Sequence, residues 1–135
     1  MQRFIKAQER DYETALSEIR SGRKRSHWIW YIFPQIKGLG YSSTAQYYEI
    51  KDTAEAKEYI AHPILYPRLL EITSALLENE GKIENIMGYP DNLKLKSSMT
   101  LFYLVSGERL FKEVLDKFYG GEMCEFTLSA VSEKL

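Results

Sequence analysis

Apolar side chains recur along this chain at intervals of three and four, and glycine or proline cuts the pattern at short distances. Leu65, Leu69, Ile72 and Leu76 follow one another at spacings of four, three and four. Those spacings put all four on one face of a helix, whereas a strand would split them between its two faces. Ile5, Tyr12, Leu16 and Ile19 repeat the pattern near the N-terminus, with Phe4 and Ala15 at the edge of the stripe. Phe111, Val114, Leu115 and Phe118 repeat it near the C-terminus. Ser21-Gly22, Pro34, His62-Pro63, Gly81, Gly88-Tyr89-Pro90, Gly107 and Gly120-Gly121 punctuate the stripes. The punctuation predicts an all-α, multihelical array of about seven or eight short helices joined by short loops.

Polar residues mark the helix starts. Ser42 or Ser43, Asp52 or Thr53, Asp91 and Thr127 each stand where a side-chain oxygen would cap a helix. His62, before Pro63, is placed to cap or start the next one. Ser26 to Phe33 is ambiguous, since Trp28, Trp30 and Ile32 alternate as in a strand. A short helix is favoured because no other segment offers a partner strand. A length of 135 residues is that of one domain, expected to span 1–135.

Charge and cysteine content narrow the function classes. The net charge of −1 gives no general attraction to nucleic acid or to membranes and argues against both as partners. Cys124 is the only cysteine, so no internal disulfide forms. With two histidines besides, no metal site and no cofactor is expected. No secretory signal and no run of ~20 apolar residues is visible, so a cytoplasmic location is expected.

Chemistry concentrates in Arg23-Lys24-Arg25-Ser26-His27-Trp28-Ile29-Trp30. Arginine offers paired donors to phosphate or carboxylate oxygens, and an indole face suits a flat ring. Arg23, Lys24 and Arg25 are thus candidate anion ligands, Trp28 and Trp30 candidate stacking platforms, and His27 a candidate acid–base group. The bland alternative buries both tryptophans and leaves the cations in solvent. Gly38, Gly40 and Ser42 could offer backbone N–H groups to an anion at a helix start. They form neither a complete dinucleotide fingerprint nor a Walker loop, so a plain turn with an N-cap competes. Lys94, Ser97 and Ser98 could line a polar pocket, or the hydroxyls could serve close helix packing. Glu9, Glu13 and Glu18 are read as a solvated face, and Cys124 as a small core residue.

The blocks Lys24-Arg25-Ser26-His27-Trp28 and Ser97-Ser98-Met99-Thr100-Leu101-Phe102, with Gly38-Leu39-Gly40 and His62-Pro63 between them, resemble an uncharacterised, mainly bacterial family. It is one of the domain-of-unknown-function families, and some of its members carry a calpastatin label. The resemblance implies a compact, mainly helical single domain. It supplies no catalytic residue. An inhibitory calpastatin segment would be disordered until bound, whereas this chain has the aromatic content and apolar stripes of a prefolded domain. Two functions are expected from these residues. One is binding, with turnover a further step, of a small anionic ligand such as a nucleotide or ADP-ribose-like molecule. The other is a protein-interaction module in which the aromatic cluster forms the contact patch.

Overall fold

The computed structural model describes residues 1–132, so the last three positions of the expected domain lie outside the described residues. Nine helices occur among them: α1 (Gln2–Arg20), α2 (Ile29–Ile32), α3 (Ser43–Tyr48), α4 (Thr53–Ala61), α5 (Leu65–Leu77), α6 (Ile83–Met87), α7 (Asp91–Ser106), α8 (Arg109–Tyr119) and α9 (Glu125–Ser132). Strand pairing among the described residues is limited to one bridge, Ile36 to Ile50. The all-α expectation holds, and the ambiguous Ser26 to Phe33 run forms a single helical turn.

Helix α7 is the axis of the packing. It touches α8, α9, α4, α6 and α2, while α1 lies against α5 and α2. Its centre is buried all round, from Ser97 to Phe102. A helix surrounded on all sides needs small residues where neighbours come close. Ser97 and Thr100 answer that need, and their hydroxyls donate to the carbonyls of Leu93 at 3.1 Å and Lys96 at 2.8 Å. These two hydroxyls are thereby satisfied within the helix itself. The apolar stripes meet as spaced: Leu65, Leu69, Ile72 and Leu76 are buried, as are Phe111, Val114 and Leu115. On α1 the stripe is rotated slightly from the expected one, with Ala7 and Gln8 buried and Ile5 only partly so.

Caps follow the expectation at three starts. Ser42 accepts from the Ala45 N–H and Asp52 from the Glu55 N–H. His62 Nδ1 accepts from the N–H groups of Ile64 at 3.1 Å and Leu65 at 3.3 Å. Two starts differ. Asp91 is the first helical residue of α7 rather than its cap, because its carboxylate is drawn to Lys24. Thr127 lies inside α9, buried, with its hydroxyl on the Cys124 sulfur.

Gly38 and Gly40 serve packing. Gly38 has φ +108°, and a Cβ there would stand 2.7 Å from the Phe126 ring. At Gly40 a Cβ would collide with that of Ala45, at 2.4 Å. The two glycines let the loop before α3 press against α9 and against α3 itself.

Candidate functional site

The segment from Arg23 to Trp30 is organised by an acid on α1. Glu18 accepts from the N–H groups of Arg25 at 2.8 Å and Ser26 at 3.0 Å, the Ser26 hydroxyl at 2.5 Å and the Trp28 indole at 2.9 Å. Burial alone would raise the Glu18 pKa, but these donors outweigh it and bring the carboxyl down to about 2. Glu18 is therefore not part of a solvated face. Its partners are backbone groups and an indole that no spacing rule exposes.

The three cations separate. Lys24 folds inward: its side chain is 6% exposed and its ammonium sits 2.7 Å from Asp91 Oδ2. It also donates to the Ser26 carbonyl and lies 4.8 Å from the centre of the Trp28 ring. That ion pair ties the loop to α7, so Lys24 is a structural cation rather than a free anion ligand. Arg23 and Arg25 point to solvent, the bland outcome for both.

The tryptophans separate as well. Trp28 is 1% exposed and belongs to the core, which excludes it as a stacking platform in this conformation. Trp30, two residues on, is half-buried. Lys94 crosses its ring at 5.1 Å from the centre. Trp30 also lines an open depression of about 530 Å³, together with Arg10, His27, Tyr31, Tyr47 and Thr44. Helix α1 supplies Arg10, the loop before α2 supplies His27, α2 supplies Trp30 and Tyr31, and α3 supplies Thr44 and Tyr47.

A closed network sits at the edge of this depression. The Tyr31 hydroxyl donates to Asp11 and accepts from Arg10 Nη2 at 3.3 Å. Arg10 Nε and Nη2 each lie 3.0 Å from Asp11 Oδ2. Burial, then the hydrogen bond to Asp11, pushes the Tyr31 phenol up to about 12, so it stays protonated at neutral pH. From below, Gln8 donates to the Tyr31 carbonyl at 2.9 Å and to the Tyr59 hydroxyl at 3.0 Å. That bond pins the single turn of α2 to α1. Tyr48 stands between Tyr31 and Tyr47, with ring centroids at 4.9 and 4.8 Å. Tyr47 itself is 61% exposed.

The remaining candidates fall outside this depression. The Gly38 N–H faces the Glu49 carboxylate at 3.4 Å, which an anion would have to displace, so the expected anion cradle is already occupied. Ser42 spends its oxygen on its cap. Ser98 is buried in the core. Ser97 lines a second depression, of about 850 Å³, with Leu39, Leu93, Met123, Cys124 and Leu128. There the hydroxyls of Ser97 and Thr127 lie 3.2 and 3.3 Å from the Cys124 sulfur. Burial alone would raise the thiol, yet these hydroxyls and the N–H groups of Thr127 and Phe126 hold it below its ordinary value. Cys124 is thus half-exposed at a polar helix start rather than a plain core residue. Arg10, Asp11, Tyr31 and Tyr47 were not marked by the sequence, because each lies on a helix face whose neighbour is set by tertiary packing.

Among the described residues no group of three His, Cys, Asp or Glu is placed to hold a metal ion. No helix there is long and apolar enough to cross a membrane.

Residues 1–131 match the model of a family described as "Protein of unknown function (DUF1810)". The fold is similar to the crystal structure of the conserved hypothetical protein Rv1873 from Mycobacterium tuberculosis, at 43% identity and a TM-score of 0.95. The superposition covers 97% of this chain and 95% of that one. None of the curated proteins compared with the chain matches it.

Proposed function

We propose a function for a chain that belongs to this uncharacterised family: binding of a small molecule that combines a planar ring with an acidic group, as a nucleotide or ADP-ribose-like molecule does. One observation carries the reading. A stacking-competent indole (Trp30), an exposed phenol ring (Tyr47), a guanidinium (Arg10) and an imidazole (His27) line the same depression. An aromatic platform beside an arginine is the combination that a ring with an anionic substituent needs. Trp30 and Tyr47 would take the ring. Arg10 and His27 would face the acidic group, with the hydroxyls of Ser43 and Thr44 at the rim.

The proposal is one of binding. His27 is exposed and lines the depression, where its imidazole would face the ligand's acidic group.

Calorimetry against nucleoside monophosphates, ADP-ribose and aromatic carboxylates is the test. A ring stacked on an aromatic side chain contributes about 1–3 kcal/mol, so Trp30→Ala should weaken a bound ligand about tenfold or more. Arg10→Ala should weaken the acidic ligands and spare neutral rings. Binding that survives both substitutions, or no binding across the panel, would reject the reading.

A second reading rests on the other depression. Leu93 and Leu128, 49% and 39% exposed, line it with Leu39 and Met123, an apolar edge that suits a protein partner. If this is a contact face, Leu93→Ser with Leu128→Ser should abolish capture of a defined partner that the wild type binds. Trp30→Ala should leave that capture intact.

A further inference from the structure

The depression at Trp30 carries an acid beside its arginine, and the geometry of that pair bears on which ligands enter. A guanidinium holds a carboxylate or phosphate best through two parallel N–H groups on one edge. In Arg10 the edge formed by Nε and Nη2 is already taken, with both nitrogens 3.0 Å from Asp11 Oδ2. The Tyr31 hydroxyl occupies Nη2 further, at 3.3 Å, and is itself fixed by donating to Asp11. Only Nη1 of Arg10 remains free to meet a ligand. Neighbouring residues on a helix point about 100° apart and do not face each other, so this contact forms because the arginine folds back across the Tyr31 ring, 5.7 Å from its centre. The Asp11 side chain is 28% exposed, so its charge acts on the depression as well as on Arg10.

We infer that Asp11 is a positioning residue that sets the charge selectivity of this site: by holding the paired N–H edge of Arg10, and by placing a carboxylate beside it, it admits a ring with one acidic group and discriminates against polyanions. The inference rests on the ligand-binding reading above and deepens it by naming the ligand class. Two surrounding pairs point the same way. Asp91 neutralises Lys24, and it lies 3.6 Å from Lys94, the cation over Trp30. Little uncompensated positive charge is left to hold a triphosphate.

The experiment is calorimetry at low ionic strength with adenosine, AMP and ATP, on wild type, Asp11→Asn and the Arg10→Ala/Asp11→Asn double variant. Asparagine keeps an oxygen for the Tyr31 hydroxyl, so the fold is preserved while the charge goes. A unit charge removed at ~6 Å in a water-like dielectric changes affinity about threefold per unit of ligand charge. The expected order for the wild type is AMP bound more tightly than ATP. In Asp11→Asn adenosine should move less than about twofold, AMP, with a phosphate charge of about −2 at neutral pH, should tighten about tenfold, and ATP, with more charge, should tighten most. The gain should shrink when Arg10 is also removed. A uniform change for all three ligands would mean a merely structural role and would overturn the inference. So would an unchanged ladder, or a gain just as large without Arg10. If neither wild type nor Asp11→Asn binds any of the three, the ligand-binding reading itself fails and takes the inference with it.

Discussion

Trp28 and Trp30 are two residues apart and do opposite work. Trp28 is sealed in the core with its indole N–H on Glu18 at 2.9 Å and Lys24 across its ring. Trp30 keeps part of its surface on an open depression. The same division runs through the cations. Lys24 is inside, paired with Asp91, while Arg23 and Arg25 are outside with no part in the knot beyond their backbones. An aromatic-cationic sequence block is therefore two objects. One half is a buried latch that fastens the α1–α2 loop to α7, and the other half is a surface.

The largest expected effect separates the two tryptophans directly. Trp28→Ala removes a fully buried indole and should cost about 3–5 kcal/mol in denaturant unfolding. Trp30→Ala should cost less, about 1–2 kcal/mol, since its indole is only partly buried against the core. Equal costs would erase the distinction between latch and surface. The next effect tests the ion pair. Lys24→Ala leaves Asp91 with Lys94 alone, at 3.6 Å, and should cost about 2 kcal/mol, between the values for buried and exposed pairs. A loss below about 0.5 kcal/mol would make Lys24 a bystander like its neighbours.

Glu18 gives the latch a signature in pH. Its carboxyl is held down at about 2, below the 4.5 of a free glutamate. A depressed carboxylate contributes stability that is fully present above its unfolded value and is lost as pH falls through its folded one. The melting temperature of the wild type should therefore exceed that of Glu18→Gln by a constant amount above about pH 5, and the gap should close between pH 4.5 and about 2. At neutral pH the substitution should cost about 1–2 kcal/mol, since the hydrogen bonds lose their charge assistance. A gap independent of pH would show that the ionised form of Glu18 is not what the latch uses.

Much of the fold was legible because helical stripes and breakers are local signals. The spacing of Leu65, Leu69, Ile72 and Leu76 identifies their shared face without knowing what covers it. The His62 cap was legible for the same reason. The site was legible only as a neighbourhood. Trp30 and His27 do line the depression, but the segment's other chemistry points elsewhere, and nothing local distinguishes Trp28 from Trp30. That difference is decided by Glu18, ten positions upstream, through a bond no periodicity encodes. Arg10 and Tyr47 reach the depression, with Asp11 at its edge behind Arg10, because Gln8 fixes α2 on α1 and because α3 lies against α2. Side chains assembled from three elements carry no shared sequence signal.

The smallest expected effect sharpens the division most. Arg25 contributes its backbone N–H to Glu18 at 2.8 Å, while its side chain lies in solvent. A substitution that keeps the backbone should then keep the latch. Arg25→Ala is expected to shift unfolding by no more than about 0.5 kcal/mol, the ordinary range for an exposed side chain. Arg25→Pro, which deletes the N–H alone among the Glu18 donors, should cost about 1–2 kcal/mol, because a part-exposed carboxylate loses a charge-assisted donor and the loop loses a fixed point. The pair of substitutions thus measures main chain against side chain at one position. If the alanine variant were the more damaging, the guanidinium would have a contact of its own, and the surface half of the block would begin at Arg25 rather than at His27.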